Sequence, residues 1–310
     1  MNPSLVGSEM CIRDRVKGQE SAMTNQNERF GILLMIITTI IFASQDGLSK
    51  YLATEYNVYM VVMIRYWFFA AFVISVSSQK SGGIRRVAKT KSPLLQILRS
   101  LVLVAEVCVT ILAFTLLGLA ETHAIFASYP LIIAMLSGPV LGEYVGWRRW
   151  LAIFFGFIGI LIILNPGSDI FSPYAFVPLG GAILFALYGL LTRYAGQYDN
   201  SSTSFFWTGV IGCIAMTVIG FNFWDPVSKA DWSIMLLLSA SGILGHYLLI
   251  KCYEVAEASA VQPFAYLQLI WASIIGVIIF GEQITTNVVI GAFIIVAAGL
   301  FTLWRERKIS

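Results

Sequence analysis

Residues 42–51, FASQDGLSKY, decide the fold, because a related stretch returns at residues 185–194 as FALYGLLTRY. Both stretches follow the pattern F-A-x4-L-[ST]-[KR]-Y. Each ends a run of apolar residues, so the same helix end occurs twice in one chain. This internal symmetry indicates that the first half of the chain is repeated in the second half.

Two shorter matches extend the repeat in the same order. LAE at residues 119–121 and LGE at 141–143 correspond to VAE at 255–257 and FGE at 280–282, with an apolar helix between the members of each pair. The repeating unit then contains five predicted helices. An odd number of membrane crossings places the second unit upside down relative to the first, which makes an inverted repeat.

The composition points to a membrane protein. The 310 residues are 58% hydrophobic and 12% charged, with a mean hydropathy of +0.80, whereas about one quarter of the residues in a soluble domain are charged. These values exclude a soluble globular protein, a disordered chain, a nucleic-acid binder and a small disulfide scaffold, because each needs more charge, polarity or cysteine. The net charge of +3 is too small to indicate an acidic partner.

We predict an all-α integral membrane protein with ten transmembrane helices in two inverted five-helix repeats. A hydrocarbon core of about 30 Å needs about 20 helical residues, because every backbone polar group must be satisfied within the segment. The first repeat is expected at residues 29–165 and the second at 174–305, with a cytoplasmic tail at 306–310. The predicted segments are residues 30–51, 58–77, 94–117, 122–141, 150–164, 175–194, 205–223, 232–255, 260–280 and 288–304.

Residues 1–28 are expected to form an unstructured N-terminus. EMCIRDR at residues 9–15 matches the translation of a transposon-end sequencing adapter, so about the first fifteen residues are excluded from the fold. Met23 is then the expected natural start.

Lys and Arg concentrate in alternate loops, which predicts the orientation in the membrane. The outside loops hold little basic charge beyond Lys50 and Lys229. Both termini are therefore expected in the cytoplasm, with the chain in the inner or plasma membrane. The inside positions are Arg29, Lys80, Arg85, Arg86, Lys89, Lys91, Arg148, Arg149, Arg193, Arg305, Arg307 and Lys308.

The five-plus-five arrangement, the basic inner loops and the [LF]-G-E motif before a Gly-rich last helix resemble the EamA-type members of the drug/metabolite transporter superfamily. The resemblance covers residues 30–304. It implies a central cavity lined by the first four helices of each half, with the fifth and tenth helices peripheral. Residues 46–51, with QILRS at 96–100, are similar to the branch that carries S-adenosylmethionine and other metabolites. The implied function is a secondary transporter that moves a small organic metabolite or drug by alternating access, with proton coupling left open.

Two intramembrane carboxylates are the first site candidates, because ionisable residues at membrane depth normally face a cavity or a partner. Asp46, beside Gln45, is a candidate proton or cation site, and the alternative is a loop-edge acid paired with Lys50. Glu106 is expected to pair with Arg65 on another helix. That pair would serve either coupling or helix register.

The remaining candidates are aromatic, amide and imidazole side chains on predicted cavity helices. They are suited to bind a planar, uncharged or zwitterionic solute, and the alternative is that they tie helices together. An intramembrane histidine is either pH-sensitive or a packing residue. The candidates are Tyr129, Tyr188, His246, Tyr247, Tyr253, Gln262, Tyr266, Gln268 and Trp271.

The sequence offers weaker support for other functions. SASG at residues 239–242, with His246, resembles the box of a rhomboid protease, but His246 lies on the same predicted helix as Ser241 and cannot easily act as its base. A non-transporting scaffold would not need an inverted duplication. We find no metal-ligand spacing, phosphate loop or cofactor motif. The expected partners are a small-molecule substrate and the lipid bilayer, without nucleic acid, and a homodimer is left open.

Overall fold

The computed structural model describes residues 3–79, 82–141, 146–164, 173–196, 198–255 and 264–306, and it describes most of the side chains in these ranges from residue 29 onward. Within these ranges all regular secondary structure is helical, and short 3-10 turns at Pro173–Ala175 and Phe221–Phe223 flank α8 and α9. The helices are α1 (Pro3–Glu55), α2 (Val58–Gln79), α3 (Gly83–Ala88), α4 (Pro93–Leu117), α5 (Leu119–Phe126), α6 (Tyr129–Leu141), α7 (Trp147–Leu164), α8 (Phe176–Ala195), α9 (Ser201–Gly220), α10 (Lys229–Val255), α11 (Leu267–Phe280) and α12 (Thr286–Glu306).

The described part of the chain contains six helices that are long and apolar enough to cross a membrane. These results confirm the predicted all-α membrane class. The long spans are Arg29–Glu55, Val58–Gln79, Pro93–Leu117, Pro173–Thr192, Ser201–Phe223 and Lys229–Leu249, and the shorter apolar helices are Leu119–Ile133, Trp150–Leu164, Leu267–Phe280 and Thr286–Phe301.

Two helices differ from the predicted segments. Helix α1 continues back to Pro3, where an unstructured N-terminus was expected. The predicted segment 122–141 is divided into α5 and α6, because Pro130 has no N–H to donate to the carbonyl of Phe126 and so interrupts the helical ladder. Glu143, Glu257 and Gln262, which the sequence singled out, lie outside the described residues.

Local sequence sets several helix ends. Pro93 begins α4, where a missing N–H costs nothing. Gly118 ends it with φ 90° and ψ 174°, a backbone conformation essentially confined to glycine. The side chain of Asn200 caps α9 by accepting a hydrogen bond from the Thr203 N–H at 2.8 Å. Gly281 ends α11 in the left-handed region at φ 65°.

The main helix–helix contacts join a helix before residue 165 to a helix after residue 172. Helix α1 packs along α10 and α11, α2 along α9 and α10, α4 along α8 and α9, α5 along α11, and α7 along α12. Lipid tails are as apolar as leucine, so this association depends on close approach and interhelical hydrogen bonds rather than on the hydrophobic effect. Gly159 illustrates the approach, since a Cβ there would lie 2.8 Å from the carbonyl oxygen of Gly291.

Candidate functional site

Two polar clusters lie on either side of α1. Gln45 and Asp46 are neighbours on this helix, and 3.6 residues per turn directs them about 100° apart. The Asp46 cluster consists of Asp46, His123 and Gln268, from α1, α5 and α11. The Arg65 cluster consists of Gln45, Arg65 and Gly242, from α1, α2 and α10. Helix α1 therefore presents one polar side chain to each cluster.

The Asp46 cluster is a partly buried carboxylate in contact with two side chains. Gln268 Nε2 donates to Asp46 Oδ2 at 2.9 Å. His123 Nε2 lies 3.1 Å from the same oxygen, which is ion-pair distance, but the two atoms are not aligned as a hydrogen bond. His123 is 4% exposed. The arrangement places a proton acceptor beside an imidazole at membrane depth.

A small cavity adjoins the Asp46 cluster. Its volume is about 30 Å³, and its lining includes His123, Tyr129, Tyr266 and Gln268. A cavity of this size holds two or three waters, because one water needs about 10–15 Å³. The Tyr266 hydroxyl is buried without a hydrogen-bond partner. In this conformation the cavity is therefore too small for an organic metabolite, but it is bordered by aromatic and polar groups.

The Arg65 cluster contains polar groups that lack partners. Gln45 Oε1 is buried and accepts no hydrogen bond. A Cβ built on Gly242 would lie 2.9 Å from this oxygen, 3.3 Å from Arg65 Nε and 3.4 Å from Arg65 Nη2. The guanidinium is half-buried. The Arg65 guanidinium, a donor, and Gln45 Oε1, an acceptor, therefore both lie against Gly242, which has no side chain to displace them.

Glu106 does not form the predicted ion pair with Arg65. Its carboxylate accepts a hydrogen bond from Thr110 Oγ1 at 2.9 Å, one turn further along α4. Among the described residues, no nitrogen of Arg65 lies within 4.0 Å of a carboxylate oxygen. The prediction was wrong for this conformation because the turn of α4 supplies a nearer donor.

A second buried arginine ties α4 to α8 and α9. Arg99 is 1% exposed. It donates to Gln96 Oε1 at 3.1 and 3.2 Å, to the Ser204 carbonyl at 2.5 Å and to Thr208 Oγ1 at 2.8 Å. The predicted candidate Tyr188 also receives a hydrogen bond from Arg99 at 3.3 Å, with its ring 5.4 Å away. Arg99 and Tyr188 therefore have a packing role here.

The same network reaches the loop between α8 and α9. Asp199 accepts hydrogen bonds from Thr90 Oγ1, from Gln96 Nε2 at 2.9 Å and from the Lys91 N–H at 3.1 Å. Partial burial by itself raises the pKa of Asp199, but these hydrogen bonds outweigh it and hold the pKa below its ordinary value.

A salt bridge joins the two halves at the end of the bundle where α1 and α11 finish. Lys50 Nζ lies 2.5 Å from Glu282 Oε1, and both side chains are 12% exposed. The Glu282 carboxylate also accepts from the N–H groups of Leu119 at 2.7 Å and Ala120 at 3.0 Å, the first residues of α5. We call this group the Lys50–Glu282 latch. A carboxylate at a helix N-terminus is favoured by both the free N–H groups and the helix dipole.

The other predicted site residues are distributed unevenly. The His246 ring packs edge-on against Phe42, with centroids 5.2 Å apart. Trp271 has a buried indole N–H without a partner. Tyr247 is 48% exposed and belongs to neither cluster. The side chain of Tyr253, like Gln262, lies outside the described residues.

Sequence reasoning missed His123. It is one of two histidines in the chain, and the rule that selected Asp46, an ionisable residue within a predicted span, applies to it equally. The protease alternative gains no support, because Ser241 Oγ donates to the Leu238 carbonyl of its own helix at 2.9 Å.

Known proteins similar to this chain are membrane transporters. The model of the EamA-like transporter family matches the chain twice, at residues 29–165 and 172–304. An S-adenosylmethionine uptake transporter of Rickettsia prowazekii (strain Madrid E) is 25% identical, over 90% of this chain and 94% of the relative. A riboflavin transporter of Vibrio cholerae serotype O1 is 28% identical over the same shares.

A solved crystal structure shares the fold. It superposes with a TM-score of 0.61 at 15% sequence identity, covering 91% of this chain and 99% of the other. Together with the double match of the family model, this confirms the resemblance expected from the sequence. The chain belongs to the EamA-like transporter family and is a multi-pass membrane transporter.

Proposed function

We propose that the protein is a secondary transporter that carries a small organic metabolite across the inner or plasma membrane by alternating access. The observation that carries the proposal is the double match of the transporter family model, at residues 29–165 and 172–304. Each match contains an odd number of the predicted spans, so the two halves are inverted relative to each other. Inverted halves can rock about a central site and expose it to each side in turn.

The packing of the helices supports the inverted repeat. If the predicted spans are numbered one to ten, the contact of α1 with α10 joins the first span to the eighth. The contact of α4 with α8 joins the third span to the sixth. Exchange of the two halves converts one of these pairs into the other. The same exchange converts the contact of α4 with α9 into the contact of α10 with α2. Three contacts are converted into themselves: α2 with α9, α5 with α11, and α7 with α12. A ten-helix, pseudo-twofold bundle accounts for this pattern.

The distribution of basic residues supports an orientation with both termini in the cytoplasm. The Lys50–Glu282 latch then lies at the outer end of the bundle. Together with the cavity of about 30 Å³, it supports a conformation that is closed to the outside. Substrate entry from outside requires the latch to separate. A homodimer is compatible with this arrangement but is not needed for it.

The substrate class follows from the Asp46 cluster and its cavity. The partly buried Asp46 carboxylate favours a positively charged group, and Tyr129, Tyr266 and His123 offer ring faces for a planar group. S-adenosylmethionine, the substrate named for the Rickettsia relatives, has a sulfonium cation and an adenine ring. We therefore propose a cationic metabolite of this kind. Riboflavin is the second candidate, because the Vibrio relative carries it and it also has a planar ring.

The same cluster supports proton coupling. Asp46 and His123 lie 3.1 Å apart, so a proton or a cationic substrate can neutralise the carboxylate, but both cannot occupy it at once. Competition of this kind couples substrate movement to proton movement in the opposite direction. Asp46→Asn removes the site of competition, so transport by this variant is expected to lose its dependence on the proton gradient.

The test is uptake of radiolabelled S-adenosylmethionine and riboflavin into proteoliposomes, with and without an imposed pH gradient. We expect saturable uptake of the cationic substrate that responds to the imposed pH gradient in the wild type and does not respond to it in Asp46→Asn. Glu55→Gln, an exposed carboxylate at the end of the same helix, serves as the matched control. Uptake equal to that of empty liposomes for both compounds would refute the proposed substrate class.

A further inference from the structure

We propose that the Arg65 cluster is a subsite for the α-amino acid group of the substrate, with Arg65 binding its carboxylate and Gln45 binding its ammonium. This inference rests on the proposed function and names a second part of the substrate, recognised on a different face of α1 from the Asp46 cluster.

The first support is the state of Arg65 itself. It lies in the middle of a predicted span, and a guanidinium stays charged at any physiological pH. No hydrogen bond or ion pair joins it to another described residue. Arg99 is a useful comparison, because its donors reach Gln96, Ser204 and Thr208. Within the described part of the chain, one intramembrane arginine is thus satisfied internally, whereas the other is half-buried and keeps donors that a ligand can reach.

The second support is the buried oxygen of Gln45. Gln45 is 5% exposed, and its Oε1 has no donor. A buried acceptor without a partner destabilises the folded protein, so it is normally found where something else supplies the hydrogen bond. An ammonium group is a suitable donor, because it carries three N–H bonds and no acceptor.

The third support is the geometry at Gly242. Gln45 Oε1 and the Arg65 guanidinium both approach the position where a Cβ would stand, at 2.9 and 3.3 Å respectively. A planar carboxylate fits the two-pronged face of a guanidinium through parallel hydrogen bonds. An acceptor beside such a fork matches an α-amino acid, whose ammonium and carboxylate are attached to the same carbon. Gly242 has no side chain, so both Gln45 and Arg65 can lie against its backbone with their polar ends close together.

The nearby acids favour the same orientation of the ligand. Glu106 interacts electrostatically with Arg65 and with Asp46, so the guanidinium and the two carboxyl groups lie in the same region of the bundle. The Asp46 carboxylate attracts the ammonium of the ligand and repels its carboxylate. The carboxylate is therefore directed to Arg65. The other use of Arg65, pairing with Glu106 in a second conformation, involves no ligand carboxylate and is separated by the experiment.

The experiment compares S-adenosylmethionine with its decarboxylated analogue, which keeps the sulfonium, the adenosine and the amine. Binding to the full-length protein is measured in detergent. We expect the wild type to favour the carboxylate-bearing ligand by about 10- to 100-fold, the range for a hydrogen bond to a charged group. Arg65→Gln should abolish this preference and leave the affinity for the analogue unchanged. Arg65→Lys, which keeps the charge but not the fork, should fall between them.

Gln45→Leu and Arg85→Gln complete the set of variants. Gln45→Leu should weaken both ligands equally, because both keep the amine. Arg85 is exposed, so its substitution should change neither affinity. Equal affinity of the two ligands for the wild type, or an equal loss of both in Arg65→Gln, would overturn the carboxylate assignment. The latter result would instead favour pairing of Arg65 with Glu106.

A second measurement does not depend on the proposed substrate. Phenylglyoxal modifies guanidinium groups, and mass spectrometry locates the modification. L-methionine should protect Arg65 in the wild type, whereas methioninol, which lacks the carboxylate, should not. If the wild type binds neither adenosyl ligand but methionine protects Arg65, the proposed substrate fails and the subsite stands. If methionine gives no protection, the subsite is refuted.

Discussion

Removing the charge of Glu282 should open the end of the bundle that the Lys50–Glu282 latch closes. In Glu282→Gln the side chain keeps its shape and one acceptor oxygen. It loses the ion pair with Lys50 and the second acceptor for the N–H groups of Leu119 and Ala120. A hydrogen bond to a charged group contributes about 1.5–3 kcal/mol. The latched state should therefore lose roughly 2–3 kcal/mol, which is about 30- to 150-fold in the ratio of closed to open molecules.

Cysteine accessibility measures this ratio. Ser49 is 1% exposed and lies one residue before Lys50, so Ser49→Cys in a cysteine-free background reacts with a maleimide only when the latch opens. We expect labelling at least tenfold faster in Glu282→Gln, and no change in Glu55→Gln, whose exposed carboxylate ends the same helix. Equal labelling rates in the Glu282 variant and its parent would show that the latch does not hold this end closed.

Three further results are expected. In chemical unfolding in micelles, Gly118→Ala should destabilise the protein by about 3 kcal/mol or more, because it strains a backbone conformation confined to glycine and brings a methyl group within 2.7 Å of the Glu282 carboxylate. Gly281→Ala should cost only about 1 kcal/mol, because a Cβ there would meet nothing within 4 Å. Arg99→Met should cost about 3 kcal/mol in the same assay, because it removes both donors to the buried Gln96 Oε1. The pKa of Asp199 is lowered in the folded protein, so its carboxylate stabilises the fold above about pH 4, and this stabilisation is lost as the pH falls through the folded-state pKa. The free energies of unfolding of Asp199→Asn and of the wild type should therefore differ at pH 7 and converge in acid.

The class of fold was predictable because it depends on properties that are local in sequence. Runs of about 20 apolar residues, glycine and proline at the joints, and a repeated F-A-x4-L-[ST]-[KR]-Y pattern need no knowledge of tertiary contacts. The break between α5 and α6 was also visible in Pro130, but the length of the apolar run outweighed it.

The partners within the site were not predictable, because they depend on how each helix is rotated. Asp46 was identified from its charge, but its contacts come from Gln268 and His123 on other helices. Lys50 was considered as a partner for Asp46 and instead contacts Glu282, 232 residues away. Arg65 was expected at Glu106 and lies beside Gly242. Charge identifies such residues, whereas no spacing rule relates residues on helices far apart in sequence.

The most direct test of alternating access is to fix the latched end closed and measure transport. Lys50→Cys with Glu282→Cys, joined by a short bifunctional methanethiosulfonate, holds α1 to the end of α11 and is released by a reducing agent. We predict that uptake of S-adenosylmethionine into proteoliposomes stops when the link forms and returns when it is reduced, while either single variant is unaffected by the reagent. Undiminished uptake with the link intact would contradict the account.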